Sequence, residues 1–167
     1  MTSRRCFLGL LTLLSLLPGM LSAKDPGRDE LGLLSVRVFF GTNGDAGVAG
    51  KQTKSPDQET TEKLRAQKQL RFENYRLLGE DTEPVYRSYE NWAQPIKGSD
   101  EILCRFEVQK RLSADAMRLD LELWLSRKKT LKSGLHLTER KPVLVLGPEW
   151  RGGNLIISVE LQPEPEQ

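Results

Sequence analysis

Asp120 and Glu122 are two carboxylates that lie two residues apart in a run of alternating leucines. Side chains two positions apart on a strand point to the same face of a sheet. Most glycoside hydrolases use a pair of carboxylates about 5–10 Å apart in a cleft. On a flat sheet face the same pair would be balanced by Arg105 and Arg118, and the nearby positive charges favour this second interpretation.

Other reactive side chains are sparse. His136 is the single histidine, and Cys104 is the single cysteine after residue 23. Alternation puts Cys104 on an apolar strand face and His136 on a polar one, whereas a catalytic Cys–His pair needs both on one side. We expect a buried thiol at Cys104. An intermolecular disulfide is the alternative.

Groups suited to a metal ion or a phosphate are also few. The sequence has no C-x-x-C or H-x-x-x-H spacing of the zinc type. Asn43 and Asp45 lie in a glycine-rich loop that lacks the acidic density of a calcium-binding EF-hand. The loop also lacks the glycine spacings of phosphate-binding motifs. We predict no catalytic residues, no metal site and no cofactor.

Aromatic residues are the remaining candidates for a binding site. Trp124 continues the polar face of Asp120 and Glu122, other aromatics lie on a neighbouring strand, and Trp150 lies in a turn. Exposed aromatics beside carboxylates stack on sugar rings or anchor a protein partner. The alternative is that each tryptophan fills an edge of the core. The candidate binding residues are Trp124, Trp150, Tyr86, Trp92, Asp120 and Glu122.

Residues 1–23 have the three parts of a secretory signal. Arg4 and Arg5 precede an apolar run of 12 residues, and Ala23 ends a small-residue cleavage site. The run is shorter than the about 20 apolar residues that span a bilayer. We predict a cleaved signal peptide, with an uncleaved anchor as the alternative. Residues 3–8 resemble the twin-arginine export consensus, whereas the leucine-rich core is typical of the general secretory route.

Export changes the charge balance. The chain has 25 basic and 23 acidic residues, and loss of Arg4 and Arg5 leaves 23 of each. Nucleic-acid binding needs a basic surface, so we do not expect it. No later segment is apolar enough to predict a transmembrane span. The expected location is the periplasm or the exterior of a bacterium.

From residue 33 onward the pattern is mostly that of strands, because apolar residues alternate with polar ones. The predicted strands are 33–40, 72–78, 84–92, 102–111, 116–125, 130–138, 143–146 and 154–161. The continuous apolar run at 143–146 predicts a central strand covered on both faces. About eight strands at spacings near 10 residues predict a mainly β fold, an antiparallel β-sandwich or flattened barrel.

One short helix is predicted at 56–69, after a glycine-rich loop at 41–54. Ser55 is its expected cap, Pro56 suits the first helical position, and Gln58 completes a capping box. Residues 24–32 are expected to be a linker, 33–161 a single β-rich domain, and 162–167 a disordered tail.

Charge predicts one strand register. Arg105 opposite Asp120 and Glu107 opposite Arg118 would pair unlike charges, which contributes about 0.2–1 kcal/mol for each pair. The neighbouring register would place Glu107 opposite Asp120, so we predict the first.

Two segments carry a resemblance to a known group of proteins. The first is Phe72-x-x-Tyr75-x-Leu77-Leu78. The second is an apolar run that is followed by Gly147, a turn, Gly152-Gly153 and a final apolar strand. Over residues 56–161 the chain resembles small exported β proteins of planctomycete, verrucomicrobial and myxobacterial type. The resemblance implies a helix and several amphipathic strands, but no activity and no catalytic residues.

Together these observations predict an exported, non-catalytic binding or assembly module of the bacterial cell envelope. Its partner would be an envelope protein or a polysaccharide. A carbohydrate-active hydrolase using Asp120 and Glu122 is one alternative, and it requires both side chains to line a concavity. A structural envelope protein that self-associates through an edge strand is the other.

Overall fold

A computed structural model describes residues 25–163 of the chain. The predicted signal peptide and residues 164–167 of the predicted tail lie outside the described residues. The described strands are β1 (Glu30–Thr42), β2 (Asn74–Tyr86), β3 (Asn91–Ala93), β4 (Ile102–Ser113), β5 (Ala116–Leu125), β6 (Lys128–Thr138), β7 (Val143–Trp150) and β8 (Gly153–Gln162). One α-helix, α1 (Gln58–Ala66), and three short 3-10 helices (Pro26–Arg28, Ala46–Ala49, Lys68–Leu70) complete the described elements.

The strands form two antiparallel sheets of four. Sheet A has the order β2-β1-β8-β7, and sheet B has the order β3-β4-β5-β6. Within residues 25–163, the strands run first through sheet A, then through sheet B as a series of neighbouring strands, and finally return to sheet A. The fold is therefore mainly β and of the sandwich type, as the alternation predicts. β1 begins within the predicted linker, and β8 ends at Gln162, within the predicted tail.

The main core lies between the two sheets. Each sheet buries one apolar face, because strands with alternating residues can hide that face only against another layer. The inward side chains include Val36, Val38, Phe106, Leu121, Leu123 and Ile157. Cys104 is fully buried among them. Burial, followed by the nearby charge of Asp81, raises the pKa of its thiol to about 12, which keeps it protonated and unreactive.

The outer face of sheet A is also apolar, and α1 covers it. Phe39 and Ile156 of the sheet pack against Leu64 of α1 and Leu70 of the next turn. Leu64 is the one buried residue of α1, so the thin apolar stripe of this helix is sufficient to attach it.

The helix begins at Asp57 rather than at the predicted cap Ser55. The Asp57 carboxylate accepts a hydrogen bond from the backbone N–H of Thr60 at 2.7 Å. Ser55 is engaged elsewhere, since its hydroxyl accepts a hydrogen bond from Arg76 at 3.0 Å. The helix is also shorter than predicted, and a turn of 3-10 helix replaces its last part.

Three strand predictions are wrong in their boundaries or placement. The segments predicted as 72–78 and 84–92 are instead one long strand, β2, and the short β3, because β1 pairs with β2 along its whole length. The run 143–146 lies in β7, at the edge of sheet A, rather than at its centre. Its apolar pattern still has a reason: Val143 and Val145 pack on the main core and Leu144 packs on the cluster under α1.

The predicted register of β4 and β5 is also wrong. Arg105 lies opposite Glu122, and Glu107 lies opposite Asp120. Arg105 Nη1 lies 3.3 Å from the nearly buried Glu122 carboxylate, and this pair was not considered in the sequence prediction. The like charges of Glu107 and Asp120 are offset by Lys132, whose Nζ lies 3.0 Å from the Asp120 carboxylate.

The connection between β3 and β4 crosses closely over β2. A Cβ at Gly79 would lie 2.1 Å from the carbonyl oxygen of Pro95, so a larger residue would push the two segments apart. Asp81 fixes the same connection by accepting hydrogen bonds from the backbone N–H of Gln94, at 2.7 Å, and from Lys97. These contacts join the outer strand of sheet A to a loop of sheet B.

Candidate functional site

Three apolar side chains interrupt the charged outer face of sheet B. They are Trp92 on β3, Leu103 on β4 and Trp124 on β5, and we call them the tryptophan patch. Leu103 of β4 lies opposite Trp124 of β5. Trp92 of β3 lies opposite Arg105, which follows Leu103 by two residues and is on the same face of β4. The two ring centroids are 5.7 Å apart, with an interplanar angle of 59°. Trp92 is 39% exposed and Trp124 is half-buried, so both rings reach the solvent.

A glutamate two residues before each tryptophan holds its indole. Trp92 Nε1 donates a hydrogen bond to Glu90 Oε2, and Trp124 Nε1 donates one to Glu122 Oε2, each at 3.2 Å. Because both indole N–H groups are occupied, the patch can offer a ligand the faces of its rings.

Arg105 joins the two glutamates from its position on β4. Its Nη2 lies 3.3 Å from Glu90, and its Nη1 lies 3.3 Å from Glu122. With the contact between the rings, this closes a loop of interactions through both glutamates and both tryptophans. The Nε of Arg105 is buried and has no hydrogen-bond partner within residues 25–163, so Glu90, Glu122 and the more distant Glu107, 3.8 Å from Nη1, determine how the guanidinium is oriented.

Glu122 is the buried member of this network, at 4% exposure. Lys129 Nζ donates a hydrogen bond to its Oε1 at 3.1 Å and lies 6.0 Å from the Trp124 ring centroid. Burial by itself would raise the pKa of Glu122, but hydrogen bonds from Lys129 and Trp124, and then Arg105, lower it below its ordinary value. The carboxylate is therefore ionised at neutral pH. The charges of Glu90, Arg105, Glu122 and Lys129 sum to zero.

The paired carboxylates Asp120 and Glu122 lie on the open face of sheet B. Asp120 accepts hydrogen bonds from Lys132 and, at 3.3 Å, from Gln109. Neither carboxylate lines the cavities described below. The geometry thus corresponds to an ion-paired sheet face rather than to a cleft that holds a sugar between two carboxylates.

Two shallow recesses flank the patch. One, of about 390 Å³, has Trp92 and Leu103 as walls together with the paired Asp81 and Lys97. The other, of about 500 Å³, contains Tyr86, Arg28, Tyr89 and Glu90. Tyr86 therefore lies beside the patch, at the end of β2, rather than within it.

Trp150 lies away from the patch, at the end of β7 rather than in the turn that the sequence predicts. The turn itself is Arg151-Gly152, with φ of 49° and 77°, which is the type I′ geometry of a two-residue hairpin. Trp150 Nε1 donates a hydrogen bond to Glu101 at 3.1 Å, and its ring packs edge-on against Phe40. It is half-buried and faces a different cavity.

The roles of Glu90, Leu103 and Lys129 are not predicted from the sequence. One signal was available, because Glu-x-Trp occurs at 90–92 and again at 122–124. On a strand this spacing puts the carboxylate and the indole on the same face. His136 is exposed on β6 opposite Arg118, outside the patch.

Comparisons with other proteins give no relative to argue from: no protein-family model, no curated protein and no solved structure matches the chain. Within residues 25–163, no helix is both long and apolar enough to cross a membrane. In the same part of the chain, no three His, Cys, Asp or Glu side chains come together as metal ligands would. The geometry of the site is therefore the basis on which a function can be assigned.

Proposed function

We propose that this protein is an exported, non-catalytic binding module of the bacterial cell envelope, and that its tryptophan patch binds a polysaccharide chain. The observation that carries the proposal is the closed network that holds Trp92 and Trp124 on an exposed sheet face. Aromatic faces pack on the apolar faces of sugar rings. Rings that are fixed before binding lose little conformational freedom when the ligand arrives.

The charges around the patch favour a neutral sugar chain over a charged polymer. Glu90 and Glu122 alternate with Arg105 and Lys129, so neither sign dominates. A strongly charged ligand would meet repulsion as well as attraction. Sugar hydroxyls both donate and accept hydrogen bonds, and they match a border that contains carboxylates, a guanidinium and an ammonium group.

The size of the patch favours a sugar chain over an envelope protein. Stable protein interfaces bury about 800 Å² on each partner and contain a central apolar region. The patch has three apolar side chains, and charged residues begin at once around it. This area matches one or two sugar rings better than a folded partner. The proposed location in the envelope follows from the export signal predicted in residues 1–23.

Affinity electrophoresis tests this proposal. The protein lacking residues 1–23 is run through gels that contain neutral glucans, an anionic polysaccharide or solubilised peptidoglycan. We expect a neutral chain to retard it, and Trp92→Ala and Trp124→Ala each to weaken binding about tenfold. Leu112→Ala is the matched control, since Leu112 is a large apolar residue of β4, 42% exposed, outside the patch. Unchanged binding by both tryptophan variants, or binding to none of the polymers, would overturn the proposal.

A second candidate function is self-association through β7, the strand at one edge of sheet A. The difference in composition between β7 and β6, the strand at one edge of sheet B, favours it. β6 carries Lys128, Lys129 and Lys132, which discourage pairing with another chain, whereas β7 carries a run of four apolar residues. Leu146 of this run is 37% exposed. Sedimentation velocity should then show a dimer whose fraction increases with protein concentration. The dimer should be lost in Leu146→Lys but not in Leu112→Lys. A monomer at every concentration would exclude it.

A further inference from the structure

A cavity of about 280 Å³ lies at one end of the sandwich, apart from the tryptophan patch. Three connections meet around it: the segment between β1 and α1, the connection between β3 and β4, and the turn between β7 and β8. Its apolar wall consists of Leu78, Ile96 and Trp150, and its charged residues are Lys51, Glu101 and Arg151. We call it the end cavity.

The apolar wall of the end cavity is held firmly. The Trp150 ring is fixed by its hydrogen bond to Glu101 and by the edge of Phe40, whose ring centroid is 5.6 Å away. Ile96 follows Pro95, whose carbonyl lies so close to Gly79 that no side chain fits between them. A wall fixed in this way is formed before any ligand arrives, as is usual for small-molecule sites.

The charges at the rim do not cancel. Arg151 Nη2 lies 3.0 and 3.1 Å from the two oxygens of Glu101, so this pair neutralises itself. The guanidinium carbon also lies over the Trp150 ring, 4.2 Å from its centroid. Lys51 is exposed and makes no side-chain hydrogen bond or ion pair within residues 25–163. One positive charge beside an apolar wall therefore lacks a counterion from the protein.

We propose that the end cavity binds a small amphiphilic carboxylate. The apolar body of the ligand lies against Leu78, Ile96 and Trp150, and its carboxylate lies beside Lys51. Small-molecule sites usually measure about 300–1,000 Å³, so a cavity at the lower limit suits a short chain or a single ring. This site is independent of the proposed polysaccharide site, because it shares no residue with the tryptophan patch.

The test uses NMR on the isotope-labelled protein lacking residues 1–23, with octanoate, octylammonium and octanol as probes. Octanoate should move the indole N–H signal of Trp150 and the amide signals of residues 50–53. It should bind up to about fivefold more tightly than octanol, which is the effect of one exposed charge. Octylammonium should bind more weakly than octanol.

Lys51→Gln and Lys54→Gln are the matched variants. Both lysines are exposed on the same segment, but Lys54 does not line the end cavity. Lys51→Gln should reduce octanoate affinity to that of octanol, while Lys54→Gln leaves it unchanged. Three results would overturn the proposal: equal binding of octanoate and octanol, no movement of the Trp150 signal, or equal losses in the two variants.

Discussion

The outer faces of the two sheets show opposite uses of large apolar residues. On sheet A, Phe39 and Ile156 point outward and are fully covered, at 1% and 0% exposure, by α1 and the turn after it. On sheet B, Trp92 and Trp124 point outward and stay partly in solvent, since the α-helix of the described chain lies on the other sheet. The first face is a second core, whereas the second is a surface.

The two faces also differ in what holds their aromatic rings. Phe39 is held by burial, which is non-directional and contributes mainly to stability. The tryptophans are held by hydrogen bonds to Glu90 and Glu122, which Arg105 joins. Exposed apolar groups gain little from the hydrophobic effect, and rings fixed in solvent by polar contacts are what the proposed binding function requires.

The largest expected effect is on the stability of the covered face. Phe39→Ala should lower the free energy of unfolding by about 3–5 kcal/mol, because it opens a cavity under α1. Trp92→Ala should lower it by less, about 1–2 kcal/mol, because part of the ring is already in contact with water. Urea denaturation followed by circular dichroism measures both. Similar losses in the two variants would show that the faces do not differ in this way.

The next effect concerns the network under the tryptophan patch. Glu122→Ala leaves Arg105 and Lys129 without their shared carboxylate, which should cost about 1–3 kcal/mol of stability. Glu149, an exposed carboxylate of β7, is the control, and Glu149→Ala should stay within about 0.5 kcal/mol of the unsubstituted protein. Equal denaturation midpoints for the two variants would mean that Glu122 does not support the patch.

Acid should weaken the same network. Since the folded-state pKa of Glu122 lies below its ordinary value of 4.5, the stability from its ionisation is complete above that pH. This stability is lost as the pH falls through the folded-state pKa. Glu122→Gln should therefore be less stable at neutral pH and have a shallower acid limb. Parallel pH–stability curves for Glu122→Gln and the unsubstituted protein would contradict this account, with Glu149→Gln at an exposed position of β7 as the control.

The smallest expected effect tests the strand register. Lys110 lies opposite Arg118, so Lys110→Glu should replace a repulsive cross-strand pair and raise stability by about 0.2–1 kcal/mol. In the register predicted from the sequence, Lys110 would face Asp115 and the same substitution would lower stability. The sign of the change in the urea midpoint decides between the two registers.

The sequence predicts the fold well because burial enforces alternation, and a strand shifted by one residue would expose its apolar set. It fails where the choice depends on contacts between distant segments. The β4–β5 register depends on the buried Arg105–Glu122 pair, and the helix start depends on Arg76 engaging Ser55. The edge position of residues 143–146 is not predictable from their apolar run, because that run is typical of a strand covered on both faces. Helix α1, which is distant in sequence, covers Leu144 on the outer face.

The candidate site was predicted in part. Alternation correctly placed Asp120, Glu122 and Trp124 on one polar face, and Trp92 joins them because β3 pairs with β4. The sequence did not separate Trp150 from this group, since that separation depends on how the sheets stack. It also did not indicate that the carboxylates hold indoles and cations rather than facing a cleft.

The most direct test of the tryptophan patch is an NMR titration of the three indole N–H signals with oligosaccharides from whichever neutral chain retards the protein. We predict that the signals of Trp92 and Trp124 move together along one binding curve while that of Trp150 stays in place. Movement of Trp150 alone, or independent curves for Trp92 and Trp124, would contradict a single preformed patch.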